Sequence, residues 1–541
     1  MLSSRFMATR LCMLISGCVF TPLLFAAAPY VDSPALDGEA SVLLEVAVPG
    51  ADNVGAAAVR AWRDWLIAQG FAVDRCGHNP KAGTLIVDIS NRDQRQKLLD
   101  TGFRIINELG SPHQEGILTQ SQYFDPTEIA SMLAQVEIDH PGIARRFSIG
   151  TTTQGRDIWA IEISNHPDTN EDEPAIQFNG QHHAREVVTS HVVMDIVESL
   201  TNGYGSDSQI TEWVNNYTTI CVPMVNPDGV QHVFNGTSLW RKNRMTYSCI
   251  GVDLNRNYPY LWGPGCGSSS TCTMDTYRGP AAASELETLA MIGLQDQYHF
   301  VMATSYHSSG QFIDYPYACS NGSPSGQMPE HAVIHEMMHG VSDGIFAMDG
   351  TRYDVYSPVP FGGVNGDDTS WYYAHRGVYA FIIEVGLSFE PDFSLVAGIV
   401  NQNRGGWRYM YQRLGQARID VHVRDACTKE PLEAVVTLKD YVYDTGETPR
   451  VTPMPYGRWT YVVPANGTYT VRASMSGYLT QDVPAVVSNA PAALEILLEP
   501  VDPPPGGCTS GDVPAASTYG MIALALAVLC AGTIIRGRLA P

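Results

Sequence analysis

His183 and Glu186 form an H-x-x-E pair between a short apolar run and a longer periodic segment. The apolar residues 175–178 predict a strand, and residues 187–200 predict a helix that begins at the pair. One neutral imidazole and one carboxylate are common zinc ligands, but a catalytic site also needs a third ligand and an open position for water. Alone, such a pair is more often a surface or capping pair, so the interpretation depends on the rest of the chain.

Two further apolar runs end at residues that suit the same chemistry. Residues 300–306 predict a buried strand that ends at His307, and residues 378–383 predict another that ends at Glu384. In open α/β sheets, sites form at the carboxyl ends of the strands. Three strand endings of this kind favour one common site, although Glu384 alone also fits a solvent-facing residue at the end of a strand.

Five motifs, in their order along the chain, resemble the motif set of the zinc metallocarboxypeptidases, in the branch of the pancreatic-type A/B enzymes and their bacterial relatives. The motifs are His183–Glu186, Trp240–Arg244, Gly251–Asn257, Tyr306–Ser308 and Glu384. The resemblance covers roughly residues 120–415. It implies a carboxypeptidase-like fold, and the alternation of strand-like and helix-like runs independently favours an α/β domain with a mixed central sheet and helices on both faces.

The resemblance implies one Zn²⁺ per catalytic domain, held by His183, Glu186 and His307. His182 is a competing ligand, but His183 gives the H-x-x-E register. Two imidazoles and a carboxylate with a free position suit zinc, which lowers the pKa of bound water to about 7. Glu384 is then the general base, which takes a proton from that water and delivers it to the leaving amine.

The same resemblance assigns the remaining polar residues of the site. Arg241 is expected to stabilise the oxyanion at the scissile carbonyl. Asn255 and Arg256 are expected to bind the terminal carboxylate of the substrate, for which a guanidinium fork is well shaped. Arg185 would add positive charge along the path of the peptide, and Asp253 would orient His183 from behind.

The chain departs from the family pattern near residue 371. The position of the family's mobile Tyr falls near Phe361–Gly363, so no residue is assigned to that role. Ser370 stands where the family usually has Asp before Trp. Thr369 suggests a pocket for neutral or hydrophobic C-terminal residues, although the nearby residues 367–368 are both Asp.

A competing motif, His335-Glu336-Met-Met-His339, matches the H-E-x-x-H signature of zinc endopeptidases and sits in a predicted helix. Because the motif matches, an H-E-x-x-H endopeptidase is an alternative function. Against it, the extended form of that signature needs Gly and His where this chain has Ser342 and Ile345. A further alternative is a catalytically inactive peptide-binding surface protein with the same fold.

Composition narrows the class of protein. The net charge of −23 over 541 residues argues against nucleic-acid partners and fits a soluble secreted protein. Scattered cysteines without C-x-x-C spacing suit disulfides in an oxidising compartment. The family resemblance implies a Cys249–Cys272 pair, and the other partners stay open.

Both ends of the chain carry targeting signals. Residues 1–28 resemble a signal peptide with cleavage near Ala28, although residues 15–18 also resemble a lipoprotein box. Residues 501–541 contain a Pro/Gly linker, a hydrophobic helix over residues 520–535 and a basic end. This tail resembles a bacterial sorting tag or a plain anchor, so at least transient membrane contact is expected. The protein is predicted to be secreted or held at the bacterial cell surface.

Two smaller domains flank the catalytic domain, which we place at residues 117–415. Residues 29–116 predict a small α+β unit that resembles the prodomain of family zymogens, or else a packing domain that is never removed. Residues 416–500 predict short alternating strands that resemble a transthyretin-like β-sandwich with an unidentified protein partner.

The expected function is removal of single amino acids from the C-termini of peptides and proteins.

Overall fold

The computed structural model describes residues 42–51, 56–79, 83–89, 91–110, 122–264, 266–319, 328–356, 364–464 and 466–502. Three predictions lie outside these residues: the signal peptide, the expected lid position near Phe361–Gly363 and the hydrophobic helix at residues 520–535. Within the described ranges, no helix has the length and apolar character needed to cross a membrane.

The N-terminal part is a small α+β unit with an antiparallel four-stranded sheet in the order β2-β3-β1-β4. Its elements are β1 (Val42–Ala47), α1 (Ala56–Ala68), β2 (Ala72–Asn79), β3 (Thr84–Ile89), α2 (Arg92–Asp100) and β4 (Arg104–Gly110). As predicted, Asn91 caps α2, accepting a 2.9 Å hydrogen bond from the amide of Gln94. The sequence did not predict β2, whose residues lack the alternation of apolar and polar side chains that identifies a half-buried strand.

Strand β1 divides its side chains between two cores, because successive residues of a strand point to opposite faces. Val42, Leu44 and Val46 belong to the core of the N-terminal unit. Leu43 instead packs with Ile86 and with Phe389 of the next domain. The outer face of this sheet is therefore docked on the central domain.

The central domain contains an eight-stranded sheet in the order β11-β10-β12-β9-β7-β8-β6-β5. The neighbours β12, β9, β7 and β8 are parallel, and antiparallel pairs lie on either side. This is the mixed sheet that the sequence predicted. Its strands are β5 (Ala144–Thr151), β6 (Asp157–Ile163), β7 (Ala175–Gly180), β8 (Thr218–Val222), β9 (Phe300–His307), β10 (Phe312–Asp314), β11 (Asp354–Tyr356) and β12 (Tyr379–Glu384).

Helices accompany this sheet throughout the domain. They are α3 (Pro126–Asp139), α4 (Val188–Gly203), α5 (Ser208–Asn216), α6 (Pro227–Phe234), α7 (Leu286–Gln295), α8 (His331–Asp343), the short α9 (Asp368–Trp371) and α10 (Phe393–Leu414). Strands β7, β9 and β12 are buried along their whole length. Because these three strands are parallel, their carboxyl ends at Gly180, His307 and Glu384 meet at one edge of the sheet.

The C-terminal part has two three-stranded sheets in the orders β15-β13-β18 and β14-β16-β17, as expected for a small β-sandwich. The strands are β13 (Arg418–Asp425), β14 (Val435–Leu438), β15 (Arg458–Val462), β16 (Gly467–Ser474), β17 (Gln481–Val487) and β18 (Ala492–Leu498). The sequence missed β17, which contains Pro484, a residue that argues against a central strand. Arg413 of α10 joins this part to the central domain, donating a 2.7 Å hydrogen bond to the carbonyl of Val463.

Candidate metal centre

His183 and Glu186 lie in a loop and not at the start of a helix, because α4 begins only at Val188. Two side chains hold this loop. Thr189 Oγ1 accepts a 3.0 Å hydrogen bond from the amide of Gln181 and donates a 2.9 Å bond to the carbonyl of Glu186. Asn226 Nδ2 donates a 3.1 Å bond to the carbonyl of His182. The helix predicted over residues 187–200 begins within one residue of its expected start, but the pair lies in the loop before it and not in its first turn.

The side chains of His183, Glu186 and His307 converge at this edge. His183 Nδ1 lies 2.6 Å from Glu186 Oε1, His307 Nδ1 lies 3.0 Å from Glu186 Oε2, and the two Nδ1 atoms are 3.1 Å apart. Ligands bound tetrahedrally to zinc at about 2.0–2.1 Å lie about 3.3 Å from one another. All three residues are fully buried. Their donor types and spacing therefore fit a single metal ion.

The carboxylates of this cluster are held in their charged form. Burial would raise the pKa of Glu186, but His183 and His307 hold it well below its usual range. Burial would likewise raise the pKa of Asp253, but Arg241 and Arg256 keep it low. Burial lowers the pKa of His307 to about 4. Charged carboxylates beside a neutral imidazole are the protonation states that a divalent metal requires.

Asp253 lies behind His183. Its Oδ1 is 3.2 Å from His183 Nε2, so Nδ1 is left to face Glu186. Its Oδ2 accepts a 3.0 Å hydrogen bond from Nε of Arg241, and Arg241 Nη1 is 3.8 Å from Glu186 Oε1. Arg241 is thus positioned beside the candidate metal ligands through Asp253.

Ser305 has the corresponding position behind His307, and it belongs to none of the motifs that predicted the site. Its Oγ lies 3.2 Å from His307 Nε2 and donates a 2.9 Å hydrogen bond to Asn179 Oδ1. A signal was available, because residues two apart in a strand share one face. Asn255 Nδ2 lies 3.4 Å from the same His307 nitrogen.

Glu384 lies next to the three-residue cluster. Strands β12 and β9 are parallel, and Glu384 is the register partner of His307. Its side chain is fully buried. The sheet therefore places a carboxylate beside the candidate metal ligands at the same strand ends.

The proposed substrate-binding residues are buried around this centre. Arg256 donates to the carbonyls of Asn255 (2.7 Å) and Gly267 (3.2 Å). Arg185 lies further out, pairs with Asp275 at 2.7 Å and packs 4.4 Å from the centre of the Phe389 ring. The structure brings Arg241, Asn255 and Arg256 close to the cluster and places Arg185 towards the N-terminal unit.

His182, the competing ligand, points elsewhere. Its Nε2 lies 3.0 Å from the hydroxyl of Tyr258 and 3.7 Å from Asp368 Oδ2. Asp368 is fully buried and donates from its amide to Asn255 Oδ1 at 2.9 Å. Burial, reinforced by Asp367, raises the pKa of Asp368 to about 7. A titratable carboxyl therefore lies in the region where Thr369 suggested a neutral pocket.

The N-terminal unit closes over the same edge. A cavity of about 280 Å³ lies between its residues Glu45 and Asn107 and the segment Ser309–Gly310, just after His307. The amide of Asp275 donates a 3.3 Å hydrogen bond to Asp88 Oδ2 of β3. The unit thus contacts the surroundings of both His307 and Arg185.

The H-E-x-x-H motif lies on α8, as predicted, but without an arrangement for catalysis. Oxygens of Glu336 accept hydrogen bonds of 3.1–3.3 Å from Arg413 and 3.2 Å from Tyr409. Among the described residues, the group of three or more potential ligands that meets at one point is His183, Glu186 and His307, whose ligand atoms lie within 4.8 Å of one another.

Disulfides support the loops around the site. Cys249 is bonded to Cys272, which confirms the expected pair, and Cys266 is bonded to Cys319. Cys221 is buried as a free thiol.

Residues 129–398 match the model of the zinc carboxypeptidase family. These residues form a zinc carboxypeptidase domain. The match confirms the family resemblance read from the motifs, and the family uses one catalytic zinc ion. The matched residues contain the whole eight-stranded sheet and the three residues His183, Glu186 and His307 at its edge.

Similar proteins and structures extend this result. "Zinc carboxypeptidase A 1" of Drosophila melanogaster is 30% identical over 290 residues, covering 51% of this chain and 65% of that protein. "Inactive metallocarboxypeptidase ECM14" of Arthroderma benhamiae is 32% identical over 222 residues, covering 38% and 36%. The chain spans less than two thirds of either relative's length. The structure of carboxypeptidase A from Helicoverpa armigera superposes with a TM-score of 0.55 at 20% identity, covering 68% of this chain and 95% of that one, and shows a common fold.

Proposed function

We propose that the protein is a secreted, zinc-dependent exopeptidase that removes single amino acids from the C-termini of peptides and proteins. The observation that carries the proposal is the position of Glu384, in register with His307 and beside the cluster that His183 and Glu186 complete. A metal centre with an adjacent buried carboxylate is suited to hydrolysis.

Glu384 acts as the general base. Zinc held by His183, Glu186 and His307 would lower the pKa of a bound water to about 7 and polarise the scissile carbonyl. Glu384 accepts a proton from the attacking water and delivers it to the leaving amine. Its burial excludes bulk water, which would otherwise compete for these proton transfers.

The arginines beside the cluster provide the exopeptidase character. Arg241, aligned by Asp253, is close enough to Glu186 to stabilise charge that develops near the metal. Asn255 and Arg256 bind the terminal carboxylate, which only a chain end can place there. Arg185 attracts the preceding part of the peptide.

The N-terminal unit serves as a prodomain that covers the site. This is supported by the contact of Leu43 and Ile86 with Phe389, which in turn packs on Arg185. A substrate that reaches Arg185 would have to displace this contact. Removal of the unit would therefore activate the enzyme.

Residues 1–28 and 520–535 support export of the protein to the cell envelope. The first segment has the charge and apolar pattern of a signal peptide. The second is an apolar run followed by Arg536 and Arg538, as expected for a sorting tag or an anchor.

A peptide-binding protein without turnover is the second candidate. It is favoured by the similarity to a relative named inactive and by the lack of Tyr at the family's expected lid position. The presence of Glu384 and all three ligands favours the enzyme.

The test compares the chain beginning near residue 117 with its Glu384→Gln variant, beside Glu212→Gln on the exposed face of α5 as a control. We expect one zinc per catalytic centre in each, trimming of free but not amidated peptide C-termini, and a loss of about 10²–10⁴-fold in turnover for Glu384→Gln alone. Binding without turnover in every variant would favour the second candidate. Internal cleavage of amidated peptides would contradict the exopeptidase.

A further inference from the structure

Helix α8 carries three histidines along one side. His331, His335 and His339 are spaced four residues apart, which places their side chains one above another. The ring centres of His331 and His335 are 5.5 Å apart, and those of His335 and His339 are 4.5 Å apart. His335 and His339 are exposed to solvent. Two imidazoles one helical turn apart can chelate one metal ion.

Tyr315 holds the first two rings from one side. Its hydroxyl lies 2.9 Å from His335 Nδ1 and 3.2 Å from His331 Nε2. When the hydroxyl donates to His331, it accepts the Nδ1–H of His335. This leaves the lone pair of His335 on Nε2. Metal-binding histidines commonly use one nitrogen as the ligand while the other donates to a neighbouring oxygen.

Glu336 does not compete for this role. Arg413 and Tyr409 bind its carboxylate on the side of α8 that faces α10. The same contacts fix the helix, so the two exposed rings stand on a rigid support.

We propose that His335 Nε2 and His339 form a second metal site, on the surface of α8, which binds a divalent transition-metal ion such as Zn²⁺, Ni²⁺ or Cu²⁺, with Tyr315 as a positioning residue. Water completes the coordination. Imidazole ligands suit these borderline metals, and the affinity of such a site is higher for Cu²⁺ than for Ni²⁺ or Zn²⁺. The motif that resembles an endopeptidase signature would thus bind metal without a catalytic base.

This site is distinct from the catalytic centre. His183 and His307 are fully buried, whereas His335 and His339 face solvent. Of these four histidines, a metal immobilised on a solid support can reach His335 and His339 but not His183 or His307. The proposal therefore does not depend on the proposed peptidase activity.

The first test measures retention of the untagged full chain on immobilised Ni²⁺. We expect His335→Ala and His339→Ala to elute at lower imidazole concentration than the wild type. His166→Ala, which removes an exposed histidine elsewhere, should elute like the wild type. Equal elution of all four proteins would overturn the proposal.

The second test counts Zn²⁺ by equilibrium dialysis. His339→Ala should bind one equivalent fewer than the wild type, whether or not the catalytic centre is loaded. Tyr315→Phe should retain the equivalent with an affinity about tenfold weaker, because it loses only the orienting hydrogen bond. If wild type and His339→Ala bind the same number of equivalents, no second site exists.

Discussion

Glu384 and His307 are direct neighbours in the central sheet, paired in register across parallel strands β12 and β9. On its other side, Glu384 pairs with Phe312 of β10. A slip of one residue in either pairing would turn Glu384 to the opposite face of the sheet. The position of the proposed base relative to the candidate metal ligand is therefore set by the register of the buried strands and not by a flexible loop.

The contact between Asp253 and His183 should tune metal affinity. Asp253→Asn preserves the shape of the side chain but removes the charge that faces His183 and Arg241. We expect zinc to bind about 10–100-fold more weakly, as for other residues that orient a metal ligand. A zinc competition titration measures this. Asp157→Asn, at an exposed carboxylate of β6, is the control, and equal affinity in both variants would argue against an orienting role for Asp253.

The strand ends of this site could be predicted because each signal is local. Continuous apolar runs identify the buried strands before His307 and Glu384, and the family motifs identify the polar residues between them. The path of the loop that carries His183 and Glu186 could not be predicted in the same way. It depends on Asn226, which reaches the loop from another element.

Contacts between distant segments account for the remaining misses. Ser305 shares one face of β9 with His307, but its hydrogen bond to Asn179 of β7 depends on the pairing of two strands that lie far apart in the sequence. The docking of Leu43 on Phe389 requires the relative position of two domains, which no periodicity encodes. Alternation in β1 predicts that Leu43 and Leu44 face opposite ways, but not what covers Leu43.

The crossing of α8 and α10 requires a glycine at position 405. A Cβ added to Gly405 would lie 2.1 Å from the carbonyl oxygen of Gly344, at the end of α8. Gly405→Ala should lower the melting temperature by several degrees, because backbone would have to move. Gly398→Ala, in the same helix with no atom within 4 Å of the new Cβ, should be neutral or stabilising by up to about 1 kcal/mol. Similar melting temperatures for both variants would refute this account of the crossing.

Glu287 should make stability depend on pH. It is fully buried in the first turn of α7, where its Oε2 accepts a 3.0 Å hydrogen bond from Asn243. Burial raises its pKa from 4.5 to about 7. The folded state thus retains the proton that the unfolded chain releases above about pH 4.5. The contribution of the protonated Glu287 carboxyl to the free energy of unfolding is complete below that pH and is lost as pH rises through about 7.

Glu287→Gln removes this dependence, because the amide stays neutral. In denaturant titrations, the free energy of unfolding of the variant should match that of the wild type near pH 4.5. At pH 8 it should exceed the wild-type value by up to about 3 kcal/mol. Glu212→Gln, at an exposed position, should show no such difference between the two pH values. A gain for Glu287→Gln that is equal at both pH values would show that its cause is packing and not ionisation.

The docking of the N-terminal unit should control access to the site. Leu43→Glu places a charge in the apolar contact with Ile86 and Phe389, while Leu44 and Val46 keep the unit's own core intact. An unpaired buried charge is costly, so the unit should dissociate from the catalytic domain without unfolding. Peptide hydrolysis by the full chain should then rise towards the rate of the chain that begins near residue 117.

Ile106→Glu, at an exposed position of β4, is the control and should leave the rate of peptide hydrolysis unchanged. If Leu43→Glu stays folded and separates from Phe389 but gains no activity, the unit is a packing domain and not an inhibitory prodomain.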